Sequence, residues 1–75
     1  MTKRREVLRN NSAFGGYGYR VLYAEGSKQV TIQRRYKNRA WQDKRTLDLY
    51  DYEQWFDATA HNRSNPALLA RLAGD

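Results

Sequence analysis

Basic and tyrosine side chains recur together in the middle of the chain, and these residue types suit the binding of phosphates and nucleic-acid bases. Lys and Arg attach to phosphates electrostatically, and aromatic rings stack on bases or guanidinium planes. From Lys28 to Arg45 there are seven basic residues and one acidic residue, more than solubility alone requires. The basic residues on or beside the predicted strands are Arg20, Lys28, Arg34, Arg35, Lys37, Arg39, Lys44 and Arg45, and the aromatic residues among them are Tyr23, Tyr36 and Trp41. We expect a binding surface here, the alternative being a solvated sheet face whose charges discourage edge pairing.

Residues suited to catalysis or metal binding are few. His61 is the single histidine, and spacing nominates no nucleophile to partner it. Capping and the helix dipole explain the carboxylates of Asp48, Asp51, Glu53 and Asp57 better than a metal site, because a calcium loop has a ligand order and a turn glycine that are absent here. The glycines of residues 15–18 lack P-loop spacing and precede a strand. We expect no catalytic residue, no metal and no cofactor, and therefore a protein that is not an enzyme.

Two predicted strands carry most of these basic residues. Side chains alternate between apolar or aromatic and polar over residues 17–24 and again over residues 29–36, which is typical of strands. Short connectors at residues 25–27 and 37–39 suit turns. In the first strand one face is expected to carry Tyr19, Val21 and Tyr23, and the other Arg20 and Leu22. In the second strand one face is expected to carry Val30, Ile32, Arg34 and Tyr36, and the other Gln29, Thr31, Gln33 and Arg35.

A third strand is predicted over residues 41–49, with Trp41, Leu47 and Leu49 on a common face. The three strands would form an antiparallel meander with one apolar and one polar face. Residues 1–16 are expected to be a basic flexible arm or an edge strand, and residues 17–75 a single domain.

Two helices are predicted after the strands. Asp51 is expected to cap the first, whose apolar stripe is interpreted as core and comprises Tyr52, Trp55, Phe56 and Ala60. Asn65 is expected to cap the second, with Pro66 at its first position and Gly74 ending it; its apolar edge comprises Leu68, Leu69 and Leu72. The predicted class is α+β, a three-stranded antiparallel sheet covered on one face by one longer and one short C-terminal helix.

Composition and charge narrow the classes of function. The 75 residues include no cysteine and carry a net charge of +6, and no apolar run reaches the roughly 18 residues of a membrane span. A chain of this length buries only roughly 60% of its unfolded surface, which leaves little room for a catalytic cleft. Residues 1–45 hold twelve basic and three acidic residues (+9), and residues 46–75 hold two and five (−3). The basic part is therefore expected to meet nucleic acid or another anionic surface.

Residues 21–56 resemble a family of small phage anti-CRISPR proteins. The resemblance is carried by the hairpin Tyr23-Ala24-Glu25-Gly26-Ser27-Lys28, by Arg45-Thr46-Leu47-Asp48, and by Glu53-Gln54-Trp55-Phe56. That family inhibits the type I-F CRISPR surveillance complex by docking on its repeated backbone subunits, and its fold is a sheet backed by helices. The resemblance implies a contact role for Tyr23. The family's glutamate on the second strand falls at Arg34, so a basic relative would meet an acidic protein face or the target-DNA channel.

The first hypothesis is accordingly a phage-type inhibitor that binds a type I CRISPR surveillance complex and blocks target DNA binding, in the cytoplasm of a bacterial host. The expected partners are subunits of that complex, with DNA as the alternative, and neither a membrane nor a small-molecule substrate is expected. The alternative is a direct DNA-binding module that resembles the arm-binding domains of phage integrases, whose three-stranded sheets enter the major groove. An antirestriction protein or a regulator of the host polymerase would share this binding logic. The predicted contact residues are Tyr23, Arg20, Arg34, Arg35, Tyr36, Lys37 and Arg39.

Overall fold

In the part of the chain that the structure describes, residues 4–10, 14–63 and 65–75, four antiparallel strands precede two helices. This computed structural model contains, in chain order, β1 (Arg4–Asn10), a short 3-10 turn (Phe14–Gly16), β2 (Tyr17–Ala24), β3 (Gln29–Tyr36), β4 (Gln42–Asp48), α1 (Leu49–Ala58) and α2 (Pro66–Leu72). Each strand pairs with its neighbour in the chain, in the order β1-β2-β3-β4. The α+β class, the antiparallel sheet and the two helices predicted from the sequence are confirmed. No helix in the described ranges has the length and apolar character needed to cross a bilayer.

The prediction of a three-stranded sheet is wrong, because β1 pairs with β2 along its whole length. The register shifts between Glu6 and Leu8, which is the signature of a β-bulge. The bulge interrupts the alternation of side chains, and β1 is mostly charged, so its sequence lacks the periodic pattern of a strand. Leu8 lies opposite Val21 and packs against the core, which anchors this edge strand.

The core lies between one face of the sheet and the two helices. The sheet contributes Tyr19, Val21, Val30, Ile32 and Leu47, and the helical part contributes Tyr52, Leu69 and Ala73. Trp55 and Phe56 are partly buried and pack against this cluster, so the interpretation of the helical stripe as core is confirmed for these two residues and for Tyr52. Ala60 lies beyond the end of α1 and is exposed.

The predicted common face of Trp41, Leu47 and Leu49 is wrong. β4 begins after Trp41, and its register with β3 shifts between Ile32, which faces Arg45, and Gln33, which faces Asp43. The extra residue at this irregularity, Lys44, inverts the alternation. Leu47 therefore lies on the helix-covered face, whereas Trp41 lies against arginines of the opposite, open face, and Leu49 is the first residue of α1.

The two helices begin differently. The prediction of Asp51 as the cap of α1 is wrong: the helix starts at Leu49, the capping residue Asp48 makes no side-chain cap hydrogen bond, and Asp51 lies in the first turn. β4 runs directly into α1, and two contacts of Leu49 hold this junction. Its N–H donates to the Lys28 carbonyl oxygen at 2.8 Å, and its side chain packs against the core.

The predicted capping of α2 is confirmed. The Asn65 side chain accepts a hydrogen bond from the Ala67 N–H at 3.0 Å, and Pro66 is the first helical residue. Gly74 follows with φ 91°, a left-handed conformation that favours glycine after a helix. Arg45 ties α2 to β4 by donating to the Leu72 carbonyl oxygen at 3.0 Å.

Candidate basic and aromatic binding surface

A cleft of about 210 Å³ opens where β3 turns into β4. We call it the basic cleft; its lining residues are Tyr17, Arg34, Arg35, Tyr36, Arg39, Ala40 and Gln42. Three of these seven residues are arginines, two are tyrosines, and none is acidic. The lining therefore combines the two residue types that bind phosphates and aromatic groups.

The register of β2 and β3 brings the walls of the basic cleft together. Tyr17 pairs directly with Tyr36, and their ring centroids are 5.2 Å apart at an interplanar angle of 60°. The Arg34 guanidinium carbon lies 4.8 Å from the centre of the Tyr17 ring, and the Lys37 Nζ lies 5.3 Å from that of Tyr36. These are cation–π distances, so both tyrosine rings already lie beside cations.

Two turns close the end of the basic cleft. The Lys37 N–H donates to the Gly16 carbonyl oxygen at 2.9 Å, which joins the turn before β2 to the turn after β3. Both residues have positive φ, 52° for Lys37 and 83° for Gly16. A positive φ is uncommon for a residue with a side chain, so the turn requires an unusual backbone conformation at Lys37.

The carboxylate of Asp75 contacts Arg34, which lines the basic cleft. It accepts a hydrogen bond from the Tyr19 hydroxyl, and its oxygens lie 2.9 Å from both Arg34 Nη1 and Lys44 Nζ. Burial acts to raise the pKa of Asp75, but the hydrogen bonds from Tyr19, Lys44 and Arg34 outweigh it and hold the pKa at about 2. Burial and the neighbouring Asp75 raise the pKa of Tyr19 to about 12. Both groups therefore keep one charge state across the physiological range of pH.

Beside the basic cleft, three guanidinium groups surround Trp41, and we call these four residues the arginine–tryptophan cluster. The guanidinium carbons of Arg20 and Arg35 lie 4.4 Å from the centre of the indole ring, and that of Arg9 lies 5.6 Å away. Arg35 also lines the basic cleft. The cleft and the cluster are therefore continuous.

Hydrogen bonds extend from this cluster across the open face. Arg20 Nε donates to Gln33 Oε1 at 2.8 Å, and Gln33 Nε2 donates to Asp43 Oδ1 at 2.7 Å. On the other side, Glu6 Oε1 lies 3.7 Å from Arg20 Nη1 and 2.8 Å from Arg9 Nη2. Gln33 is only 6% exposed, and as a buried polar residue it is satisfied by Arg20 and Asp43. Two arginines of the open face, Arg9 and Arg20, therefore already have side-chain partners within the protein, and we call such arginines committed.

In contrast, Arg39 is uncommitted: among the described residues its guanidinium has no carboxylate partner. Arg39 is exposed in the turn that leads to β4, and its N–H donates to the Tyr36 carbonyl oxygen. An exposed arginine without a partner needs no internal bond broken before it meets a phosphate or a carboxylate.

The predicted contact residues separate into three places. Arg34, Arg35, Tyr36 and Arg39 line the basic cleft, Lys37 lies against the Tyr36 ring, and Arg20 belongs to the arginine–tryptophan cluster. Tyr23 lies elsewhere, in an apolar groove beside α1. The strand pattern also divides them, because Arg20 and Arg35 project from the open face whereas Tyr23, Arg34 and Tyr36 belong to the helix-covered side.

Sequence reasoning did not single out Tyr17 or Asp75. The β2–β3 hairpin carried a signal for Tyr17, because a turn over residues 25–28 sets a register that places Tyr17 opposite Tyr36. For Asp75 there was no such signal, because its contact with Arg34 joins residues 41 positions apart.

The apolar groove lies at the opposite end of the β2–β3 ladder from the basic cleft and has a volume of about 240 Å³. Its lining residues are Val7, Tyr23, Val30, Leu49, Tyr52, Glu53, Phe56 and Asp57. In the described residues no three His, Cys, Asp or Glu side chains are grouped closely enough to hold a metal ion. His61 is exposed in the turn that follows α1.

No protein-family model matches the chain, and neither a curated protein nor a solved structure shows significant similarity to it.

Proposed function

We propose that this chain is a small phage-type inhibitor that binds a type I CRISPR surveillance complex through its basic cleft and arginine–tryptophan cluster, and so blocks the binding of target DNA. The observation that carries the proposal is the convergence of Arg34, Arg35, Tyr36 and Arg39 on one concave surface. The kind of partner comes from the resemblance of residues 21–56 to anti-CRISPR proteins that dock on the backbone subunits of such a complex. The proposal places the protein in the cytoplasm of the bacterial host.

The sign of the charge limits how such an inhibitor acts. A protein that mimics DNA must present negative charge, whereas this chain carries +6 and its basic cleft has no acidic lining residue. We infer that it covers an acidic face of the complex or the nucleic acid that the complex holds. Arginine and tyrosine are the residue types enriched in the centres of protein interfaces.

The residues of this surface have different roles in the proposal. Trp41 fixes the Arg35 guanidinium at 4.4 Å, so little conformational entropy is lost when Arg35 binds a partner. Arg39 supplies an uncommitted charge, and the Tyr17 and Tyr36 rings supply flat apolar area. Arg34 meets the partner while held by Asp75, which fixes its direction.

The test is binding to purified type I surveillance complexes, with target-DNA binding by the complex as a second readout. We expect the double variant Arg35→Glu with Arg39→Glu to bind at least about tenfold more weakly and to lose inhibition. The matched control is Arg4→Glu with Arg71→Glu, which makes the same charge change at two exposed positions outside the cleft and should bind within about twofold of the wild type. Absence of binding to every type I complex tried would refute the proposal, as would an equal loss in the control.

Direct binding to DNA is the second candidate, favoured by the uncommitted guanidinium of Arg39 beside two tyrosine rings and Lys37. The committed state of Arg20 and the carboxylates of Glu6 and Asp43 argue against the open face as the DNA-contacting part. The basic cleft and its turn are the better candidates for phosphate contacts.

A titration of a fluorescent DNA duplex at several salt concentrations tests this candidate. Contacts from Arg35, Lys37 and Arg39 predict a slope of about −3 in log K against log salt, and the Arg35→Glu, Arg39→Glu variant should lower its magnitude by about 2. Affinity no greater than that of a scrambled peptide of the same composition would eliminate DNA binding. Binding to the surveillance complex without binding to free DNA would favour the first candidate.

A further inference from the structure

The apolar groove is shaped like a receptor for a side chain. Val7, Tyr23, Val30 and Phe56 contribute carbon-rich walls, and Val7 is 38% exposed although it is an apolar strand residue. Its volume of about 240 Å³ lies below the range of pockets for drug-sized ligands, which is roughly 300–1,000 Å³. The groove therefore suits one inserted side chain rather than a whole small molecule.

The edge of the apolar groove is acidic. Glu53 and Asp57 lie four residues apart on α1, so they occupy one side of the helix, and both are exposed. Among the described residues neither carboxylate has an ion-pair partner. They belong to residues 46–75, where the net charge is −3. An incoming cation would meet two free carboxylates without displacing another basic residue.

One residue of the groove wall carries a buried hydroxyl. Tyr52 lines the groove and is only 7% exposed, and its hydroxyl has no hydrogen-bond partner. Burial raises the pKa of this hydroxyl, against the opposing effect of Arg63, so it stays neutral and can donate or accept. Buried polar groups are normally satisfied, but this oxygen is inaccessible to solvent, as is the Nε of Arg63, which also lacks a partner. The features of the groove that are open to a ligand are therefore its carbon walls and its acidic edge.

From these observations we propose that the apolar groove is a second binding site, which takes an apolar side chain flanked by Lys or Arg from a protein partner. The carbon walls select the apolar side chain, and Glu53 and Asp57 select the flanking cations. The same carboxylates repel nucleic acid, and a second copy docked through α1 would bring like charges together. This site goes beyond the proposed function, because it lies on other residues and has the opposite charge.

The test uses a capped synthetic peptide, Gly-Lys-Ala-Phe-Ala-Lys-Gly, added to the full-length protein labelled for amide NMR. In an extended peptide the two Lys and the Phe point to one side. We expect amide shifts concentrated in α1 and around Val7 and Tyr23. The control peptides replace both Lys with Glu, or Phe with Ser, and we expect each to bind at least about fivefold more weakly.

Two variants of the protein test the acidic edge and provide a control at the buried hydroxyl. Glu53→Gln with Asp57→Asn should weaken binding of the lysine peptide about threefold to tenfold, the effect expected of two exposed ion pairs. Tyr52→Phe should bind the lysine peptide as the wild type does, because the hydroxyl is inaccessible to solvent, and it should leave the unfolding midpoint of the free protein unchanged or higher, because it removes a polar group that lacks a partner. The exposed pair Glu53 and Asp57 keeps the test valid if the Tyr52 variant fails to fold.

The Arg35→Glu, Arg39→Glu variant should bind the lysine peptide as the wild type does, so failure of this site and failure of the proposed function are distinguishable. Equal binding of the glutamate peptide, or shifts located away from the groove, would overturn the inference. Shifts at the same residues that grow with protein concentration in the absence of peptide, with a dimer in sedimentation, would also overturn it by assigning the groove to a second copy.

Discussion

The basic cleft and the apolar groove lie at opposite ends of the hairpin formed by β2 and β3, yet they are built in opposite ways. The cleft uses Tyr17 and Tyr36, and its walls are held by cation–π contacts and the carboxylate of Asp75. The groove uses Tyr23 and Val30, and its walls continue into the hydrophobic core. The carbon walls of the groove therefore contribute directly to the stability of the fold, whereas the cleft residues contribute mainly through surface contacts.

The largest effect that tests this difference should come from the wall of the groove. Val30→Ala removes two methyl groups from a residue that is 1% exposed, and we expect the free energy of unfolding to fall by about 2 kcal/mol. Urea unfolding at low and high salt should give the same loss, since burial of carbon does not depend on ionic screening. The exposed neighbour Gln29→Ala is the control. A loss below about 0.5 kcal/mol would show that the groove is independent of the core.

At the basic end, Trp41→Ala should have the next largest effect. Three guanidinium groups lie within 5.6 Å of the indole ring, and exposed cation–π contacts are worth about 0.5–1 kcal/mol each. Because such contacts are not fully additive, we expect a loss of about 1–2 kcal/mol in urea unfolding. Tyr50→Ala, at an aromatic residue that is 71% exposed, should change stability by less than about 0.5 kcal/mol. Equal effects of the two substitutions would contradict the cluster's role.

The Asp75 contacts should make the stability of the basic end depend on pH. The pKa of Asp75 is lowered to about 2, so its contribution is present above the ordinary carboxyl pKa near 4 and is lost as pH falls from about 4 to 2. The pKa of Tyr19 is raised to about 12, so its contribution is lost as pH rises from about 10 to 12. Asp75→Asn should lower stability at neutral pH by about 1 kcal/mol, after allowance for solvent screening.

Unfolding midpoints measured from pH 2 to 7 check this expectation. The wild type should lose more stability than Asp75→Asn between pH 4 and 2, so the two curves should converge in acid. Parallel curves would mean that Asp75 contributes nothing through its charge.

The smallest effect on stability is expected from Arg39→Ala. Arg39 is exposed and has no carboxylate partner among the described residues, so urea unfolding should change by less than about 0.5 kcal/mol. Binding to the surveillance complex should nevertheless weaken, because an arginine of the interface is lost. A stability loss above about 1 kcal/mol would show that this arginine supports the fold. It would then contradict the difference proposed between the basic cleft and the apolar groove.

The central hairpin and the second helix are predictable from the sequence because their signals are local. Alternation places Val21 and Ile32 in the core, and Asn65 with Pro66 marks the start of α2. The basic residues of the cleft are predictable as a group for the same reason, since Arg34 to Arg39 are near one another in the chain.

Two errors of prediction, the missed edge strand β1 and the face assigned to Trp41, have one physical origin, which is the insertion of single residues into strands. The irregularity at Lys44 inverts the alternation of β4 and moves Trp41 to the open face, and the bulge after Glu6 hides the pattern of β1. A bulge is selected by pairing with the neighbouring strand, so the sequence of one strand does not reveal it. The groove escaped prediction because it needs β1 and α1 side by side.

The chain of side chains from Asp43 through Gln33 and Arg20 to Glu6 has a consequence for dynamics. It connects β4 to β1 through both inner strands, so a slip of either outer strand by one residue would break contacts across the sheet. Edge strands usually fray at a low free energy, well before global unfolding. Here β1 is coupled through these contacts to β2, β3 and β4. Its amide hydrogens should therefore exchange with solvent in the same cooperative opening as those of β2.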